Sequence, residues 1–351
     1  MMPTPVRTAV VLFNLGGPDQ VSAIRPFLRN LFSDPAILRV PFFIRYFLAR
    51  WITRVRLKPA TENYQFLGGK SPLLALTEMQ ARALEAALGE GTKCFIAMRY
   101  WHPMSLATAR AVADYQPDQI FLLPLYPQYS TATTASSLTA WREAAATIGL
   151  VAPTTTLCCY ADDAGYAKSI AGLLQETLNM LEKTATPNTI RVLFSAHGLP
   201  ESIIRRGDPY QHQVERSVAA VLEQLPMPVD WVICYQSRAT PQKWLEPSTE
   251  DEIRRAGQDQ VTVVIVPIAF VSDHVETLVE LDIEYRQLAS AEAVPGYHRV
   301  PVPNDNQDFI TALADLVRRG FAQGPGLCAH QTGNLCPALH RQCPHHLQGS
   351  P

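Results

Sequence analysis

Short runs that are apolar on both faces recur along this chain, and between them lie longer stretches in which apolar positions return every three or four residues. TAVVLFNLG, KCFIAMRY, QIFLLPLYP and TTTLCCY occupy the first half, and they alternate with helical patterns near 20–32, 104–115, 133–148 and 163–183. TIRVLFSAH, DWVICYQS and VTVVIVPIAF repeat the scheme in the second half. Runs of this kind, β-branched and bounded by turn residues, predict strands buried on both faces, which means parallel sheets covered by helices. The fold class is α/β.

An internal repeat refines this. VVLFNLGGP near the start is similar to RVLFSAHGLP at 191–200, and FLLPLYPQYSTATTASSL at 121–138 is similar to VIVPIAFVSDHVETL at 264–278. Two similar doubly wound, Rossmann-like domains account for both matches. The pattern places them at 1–160 and 161–325, with the link in the stretch ending LEKTATPN, and leaves 326–351 as a cysteine-rich extension. Open parallel sheets bind ligands beyond the carboxyl ends of their strands. Asn14, Tyr129, Ser130, His197, Gln236, Ser237, Asp273 and His274 all follow predicted strands, and are expected to face one cleft between the halves.

Composition narrows the function classes. With 351 residues, 47% hydrophobic content and a formal net charge of -2, the chain has core enough for two domains and no basic stripe for nucleic acid. The opening apolar run ends in glycines and is too short for a signal core or a membrane span, so a cytoplasmic protein is expected. DPAILRVPFFIRYFLARWITRVR, residues 34–56, mixes large apolar residues with five arginines. It reads either as an interfacial segment or as a core helix whose arginines reach solvent.

The candidate chemistry sits at strand ends. FSAHGLP puts His197 directly after a buried strand and before a turn forced by Gly198 and Pro200. A histidine held there can serve as base or metal ligand, or can simply bond to backbone. Ser195 stands in no nucleophile elbow, and LFNLGGP has neither the lysine of a P-loop nor the spacing of a dinucleotide fingerprint. SDHVETLVELDIEY is more informative. Its Glu276, Glu280 and Glu284 recur every four residues with no lysine or arginine among them, so a helix here lays three carboxylates on one face. A helix N-terminus explains Asp273 and Glu276 but not the acids one and two turns on. A ladder of oxygen ligands suits a path for a divalent cation or for protons.

Taken together, LFNLGGP, FLRNLFSDP, RYWHP, PLYPQYS, FSAHGLP, RGDPY, YQSR and PIAFVSDHVETLVELDIEY resemble the ferrochelatases, in order from residue 10 to about 285. The resemblance implies two Rossmann-like domains and insertion of ferrous iron into protoporphyrin IX. It implies that His197 contacts the metal and takes up pyrrole protons, and that Glu276 is its partner across the cavity. Asp273, His274, Glu280 and Glu284 then continue the path, for iron entry or proton exit. Leu15, Arg99, Tyr100, Tyr126, Ser130 and Tyr235 match positions that hold the macrocycle and its propionates. Residues 34–56 become the lip of the cleft, in peripheral contact with a membrane. Monomer and homodimer both remain open, as does coproporphyrin as the substrate. A sirohydrochlorin chelatase and a non-catalytic porphyrin or heme carrier are the competing readings; the acidic helix disfavours the first, and the second has no need of Glu276.

The tail GLCAHQTGNLCPALHRQCPHH carries three cysteines and four histidines and is too short to fold alone. It is similar to ferrochelatase tails that bind a 2Fe-2S cluster through three C-terminal cysteines and one internal one. The spacing here differs from the animal pattern, and Thr131 stands where the animal internal ligand would be. The implied set is Cys328, Cys336 and Cys343 with Cys158, or with Cys159 in its place; zinc on the same ligands is the alternative.

Overall fold

The structure, a computed structural model, describes residues 6–182, 189–237, 242–331 and 336–347. Nine strands are described, in chain order β1 (Thr8–Asn14), β2 (Thr92–Met98), β3 (Gln119–Pro124), β4 (Thr154–Leu157), β5 (Ile190–His197), β6 (Asp230–Gln236), β7 (Thr262–Pro267), β8 (Tyr297–Arg299) and β9 (Gly326–Cys328). They form one sheet in the order β2-β1-β3-β4-β9 and another in the order β6-β5-β7-β8, with every pairing parallel. The first four strands of each sheet therefore share one winding. The repeat read from sequence matches β1 with β5 and β3 with β7, the central pair of each sheet.

These strands are central because nothing on them needs water. All seven residues of β1 and the last five of β7 are buried. In the first sheet Val11, Phe13, Phe95, Leu122 and Trp141 pack together, and in the second Leu193, Ile253, Ile265, Leu281 and Tyr285 do the same. Helices cover them, among them Ser105–Tyr115, Thr134–Ile148 and Ala164–Glu182, which fall where the apolar periodicity predicts. Residues 34–56 are not one block: a single helix, Phe42–Phe66, begins after Pro41 and runs through Pro59.

The chain divides into two compact units, Met1–Cys159 with Ile310–Thr332, and Tyr160–Phe309 with Gly333–Pro351. The first division falls between Cys159 and Tyr160, and most of LEKTATPN, where the sequence places the link, lies outside the described residues. The expected end of the second domain at 325 differs. From Ile310 the helix Gln307–Gln323 belongs to the first unit, because it leads into β9, which pairs with β4. Gly320 makes that packing feasible: a Cβ there would lie 2.4 Å from the Phe121 ring. A three-residue edge strand carries no readable periodicity, so the sequence offers no sign of the return.

Candidate active site

β5 and β7 are neighbours at the switch point of their sheet, where strand order reverses and ligands bind. β5 ends at His197, and Gly198 follows at a place where a Cβ would meet the Gln236 carbonyl oxygen at 2.7 Å. Without that side chain, the Gly198 N–H donates to the same carbonyl at 2.8 Å and the Tyr210 hydroxyl donates to the His197 carbonyl at 3.0 Å. The histidine is thus fixed on both sides of its own peptide.

Beyond β7 the acidic stretch forms a helix, but not the expected α-helix. Glu276–Glu284 is a π-helix that passes into an α-helix at Tyr285–Ala291, and the Tyr285 N–H bonds to the Glu280 carbonyl five residues back. Such wide turns are rare and gather at functional sites. A spacing of four keeps the carboxylates near one face in either helix, so the sequence cannot tell the two apart.

His197 and Glu276 meet directly rather than across a cavity: Nδ1 lies 3.0 Å from Oε2. The same Oε2 is 3.7 Å from His274 Nε2, and His274 Nδ1, facing the acceptor-only carbonyl of Ser272 at 3.1 Å, carries its proton there. Burial works against charge on both partners. It is outweighed: the Glu276 charge and hydrogen bond raise the His197 pKa above its ordinary value, with Glu280 adding to the effect. The two histidines hold Glu276 below the usual carboxylate range. Each partner thus favours the charged form of the other, an imidazolium facing a carboxylate.

Glu280 is held by donors. Ser237 Oγ (2.5 Å) and Gln236 Nε2 (3.0 Å) bond its Oε2, and the Tyr285 hydroxyl (3.0 Å) bonds its Oε1. Burial and the charge of Glu276 push its pKa up in spite of these bonds. Ser237 bonds it from a left-handed backbone conformation, φ 67°, a strain that non-glycine residues accept mainly at functional sites.

The other two acids of the ladder depart from expectation. Asp273 accepts from Arg299 Nη1 at 3.2 Å, Thr277 Oγ1 at 2.8 Å and Asn304 Nδ2 at 3.0 Å, so its carboxylate is taken up in tying the turn to β8 and to the segment after it. Glu284 lies on the exposed side of the helix. The six predicted iron contacts do not make one cage, and among the described residues no three His, Cys, Asp or Glu side chains are grouped to hold a metal ion. The ladder gathers at His197, His274, Glu276 and Glu280. Sequence reasoning missed Tyr285, which supports Glu280, and Arg299, which holds Asp273 and Asp282.

In the first unit, Leu15 follows β1, and its carbonyl accepts the Tyr100 N–H at 3.0 Å. Arg99 is 21% exposed and ion-paired with Asp34 at 2.8 Å. Tyr100 differs from its expected role: it is 0% exposed and its hydroxyl donates to Asp34 at 2.8 Å, so it supports the loop from within. Ser130 is likewise buried and accepts the Ala132 N–H, while Tyr126 is half-buried against the core. Tyr235, in the second unit, is 3% exposed.

The tail cysteines divide between the units: Cys328 lies beside Cys158 and Cys159 in the first, and Cys336 beside Cys343 in the second. Cys158 follows β4, its N–H bonds to the Cys328 carbonyl at 2.9 Å, and its sulfur lies 2.7 Å from that of Cys159. Burial, and then Cys159, pushes the Cys328 thiol up to about 12. In the second unit Gln213 Nε2 donates to the Cys336 sulfur at 3.3 Å, and a bond from Cys336 draws the Cys343 thiol down to about 6 against the effect of burial. All four thiols of the predicted set are buried, two in each unit, and among the described residues they form no group of three or more ligands that could hold a metal ion.

A family model described as Ferrochelatase matches residues 7–321. A ferrochelatase of Caulobacter vibrioides is 52% identical over 343 residues, 96% of this chain and 97% of that one. One from Phenylobacterium zucineum is 51% identical over 349 residues, covering 96% and 98%. Among solved structures, SirB from Bacillus subtilis with Fe3+ covers 91% of this chain and 97% of its own at a TM-score of 0.54 and 13% identity, a likeness of fold alone.

Proposed function

The chain belongs to the ferrochelatase family, and from that premise we propose that it inserts ferrous iron into protoporphyrin IX, with His197 as the base for the pyrrole protons and Glu276 as the first carboxylate to meet the iron. The 3.0 Å contact between His197 and Glu276 carries this reading. Insertion removes two N–H protons and changes no oxidation state. An imidazolium cannot accept a proton, so the resting pair must open first. Ferrous iron at Glu276 does this: the cation replaces the imidazolium as counter-charge and lowers the pKa of His197, which releases its proton toward Glu280 and solvent and, as neutral imidazole, takes the two pyrrole protons in turn and passes each on the same way.

Glu280, one step along, suits the proton better than the metal. Three hydrogen bonds occupy most of its lone pairs. Its raised pKa lets it take a proton from the His197 side. Ferrous iron mixed anaerobically with protein and protoporphyrin should replace the free-base absorption bands with those of a metalloporphyrin, and His197→Ala should abolish the change. Porphyrin binding without metallation by the native chain would instead mark a carrier.

Two finer readings accompany this. Phe43 (65% exposed), Phe47 (70%), Trp51 (63%) and Val55 (55%) stand four residues apart on the helix Phe42–Phe66, with Arg45, Arg50 and Arg54 between them. No helix among the described residues is long and apolar enough to cross a membrane. An apolar stripe flanked by arginines supports peripheral contact with a membrane surface that delivers the apolar substrate. Cys336 and Cys343, both in the second unit, are the thiols through which the tail would bind a 2Fe-2S cluster. In a redox-neutral reaction such a cluster would serve to anchor the tail. Iron-sulfur absorption in anaerobically purified protein, lost in Cys343→Ser, tests it, and stoichiometric zinc would identify the alternative.

A further inference from the structure

We propose that Asp34 is a positioning residue for the substrate: with Ser136 it fixes the Arg99 guanidinium so that the free end of that group meets a carboxylate of the porphyrin. This rests on the porphyrin reading above. Asp34 closes the helix Ile24–Ser33 and is 4% exposed. Its Oδ1 accepts the Ala36 N–H at 2.8 Å, which holds the turn. Its Oδ2 accepts from the Tyr100 hydroxyl at 2.8 Å, from Ser136 Oγ at 2.5 Å and from Arg99 Nη2 at 2.8 Å. Arg99 Nε donates in turn to Ser136 Oγ at 2.6 Å.

The guanidinium is thus gripped along its Nε–Nη2 edge, and its plane rests near the Tyr100 ring, 5.0 Å from the centroid. Nη1 has no partner among the described residues, on a side chain that is still 21% exposed. Tyr126 lies within range of the same charge, which opposes the upward push of burial on its phenol.

Tying two loops together does not call for this arrangement, since a buried ion pair is a weak stabiliser compared with apolar packing. What the grip achieves is a pre-ordered donor. An arginine loses substantial rotamer freedom when it binds an anion, and here that freedom is already lost before the ligand arrives. The end left over, Nη1 beside the second N–H of Nη2, can meet a carboxylate through charge-assisted hydrogen bonds.

The test compares protoporphyrin with its dimethyl ester, which lacks carboxylates, by fluorescence titration of the full chain. Asp34→Asn and Ser136→Ala should each weaken protoporphyrin binding by about tenfold, as loss of a charge-assisted contact does. Ester binding should hold, and metallation should show a raised KM with kcat within about twofold of native. Ser136→Ala keeps the buried charge, so it carries the test should Asp34→Asn fail to fold. Native affinity for protoporphyrin in a folded variant, or equal losses for acid and ester, overturns the positioning role. A native chain that binds neither porphyrin overturns the functional reading, and the positioning role with it.

Discussion

Residues that read alike in the sequence hold different offices. Asp273 and Glu276 are neighbours in one acidic stretch, yet Asp273 is ion-paired to Arg299 and Glu276 to His197. Glu276→Gln should therefore cut metallation by about a hundredfold or more, the scale of lost acid–base function, with little loss of stability. Arg299→Met should do the reverse. It strands the Asp273 and Asp282 carboxylates and should cost about 3 kcal/mol in denaturant unfolding. The His197 pair also sets a pH dependence. Its pKa is raised in the folded state, so the ion pair is complete below the ordinary imidazole value of about 6.5 and fades as pH rises through the folded value. Free imidazole grows over that same upper range, so kcat/KM should climb with a midpoint above about 6.5, and replacing Glu276 with glutamine should move that midpoint down. His197 and Glu276 were legible because each stands at a strand end or on a periodic face. Asp34, Ser136 and Arg299 were not, because a partner more than a dozen positions away leaves no local pattern.

Among the elements, the strands were the most legible and the acidic helix the least. Apolar residues on both faces of β1, β3, β5 and β7 leave a parallel strand as the natural reading. The π-helix at Glu276–Glu284 escaped because a four-residue spacing suits a wide helix as well as an α-helix, and the choice lies in the backbone. Pro41 and Pro59 likewise hid the length of Phe42–Phe66: the first opens the helix and the second sits within it. That helix carries its own prediction. Phe47→Glu with Trp51→Glu removes two large exposed apolar groups and adds negative charge. Each such side chain contributes about 1.5–3 kcal/mol when buried, so flotation with vesicles containing anionic lipid should fall at least about tenfold. Turnover of detergent-dispersed porphyrin tests whether the same stripe also serves the reaction. A stripe that served only the core would leave flotation unchanged, but those side chains are 70% and 63% exposed, respectively.

At the scale of the whole molecule, the internal repeat gave the architecture, since VVLFNLGGP and RVLFSAHGLP became the central strands of two sheets with one winding. The return of the chain to the first sheet was not legible, and it depends on a single small residue. Gly320 lies in the helix Gln307–Gln323, where a Cβ would meet the Phe121 ring at 2.4 Å and the Cys328 sulfur at 3.1 Å. Gly320→Ala must push either β3 or β9 aside, and overpacking of this kind costs about 1–3 kcal/mol. Gly172 is the natural control: it too lies inside a helix, Ala164–Glu182, but a Cβ there meets nothing within 4 Å, so Gly172→Ala should stabilise by about 0.5–1 kcal/mol. Hydrogen exchange separates the two cases further. With Gly320→Ala the lost protection should fall first on β3 and β9, whose Phe121 and Cys328 face the new Cβ, while β5–β7 keep theirs. Loss in β5–β7 instead would return the helix Gln307–Gln323 to the second unit and restore the boundary at 325.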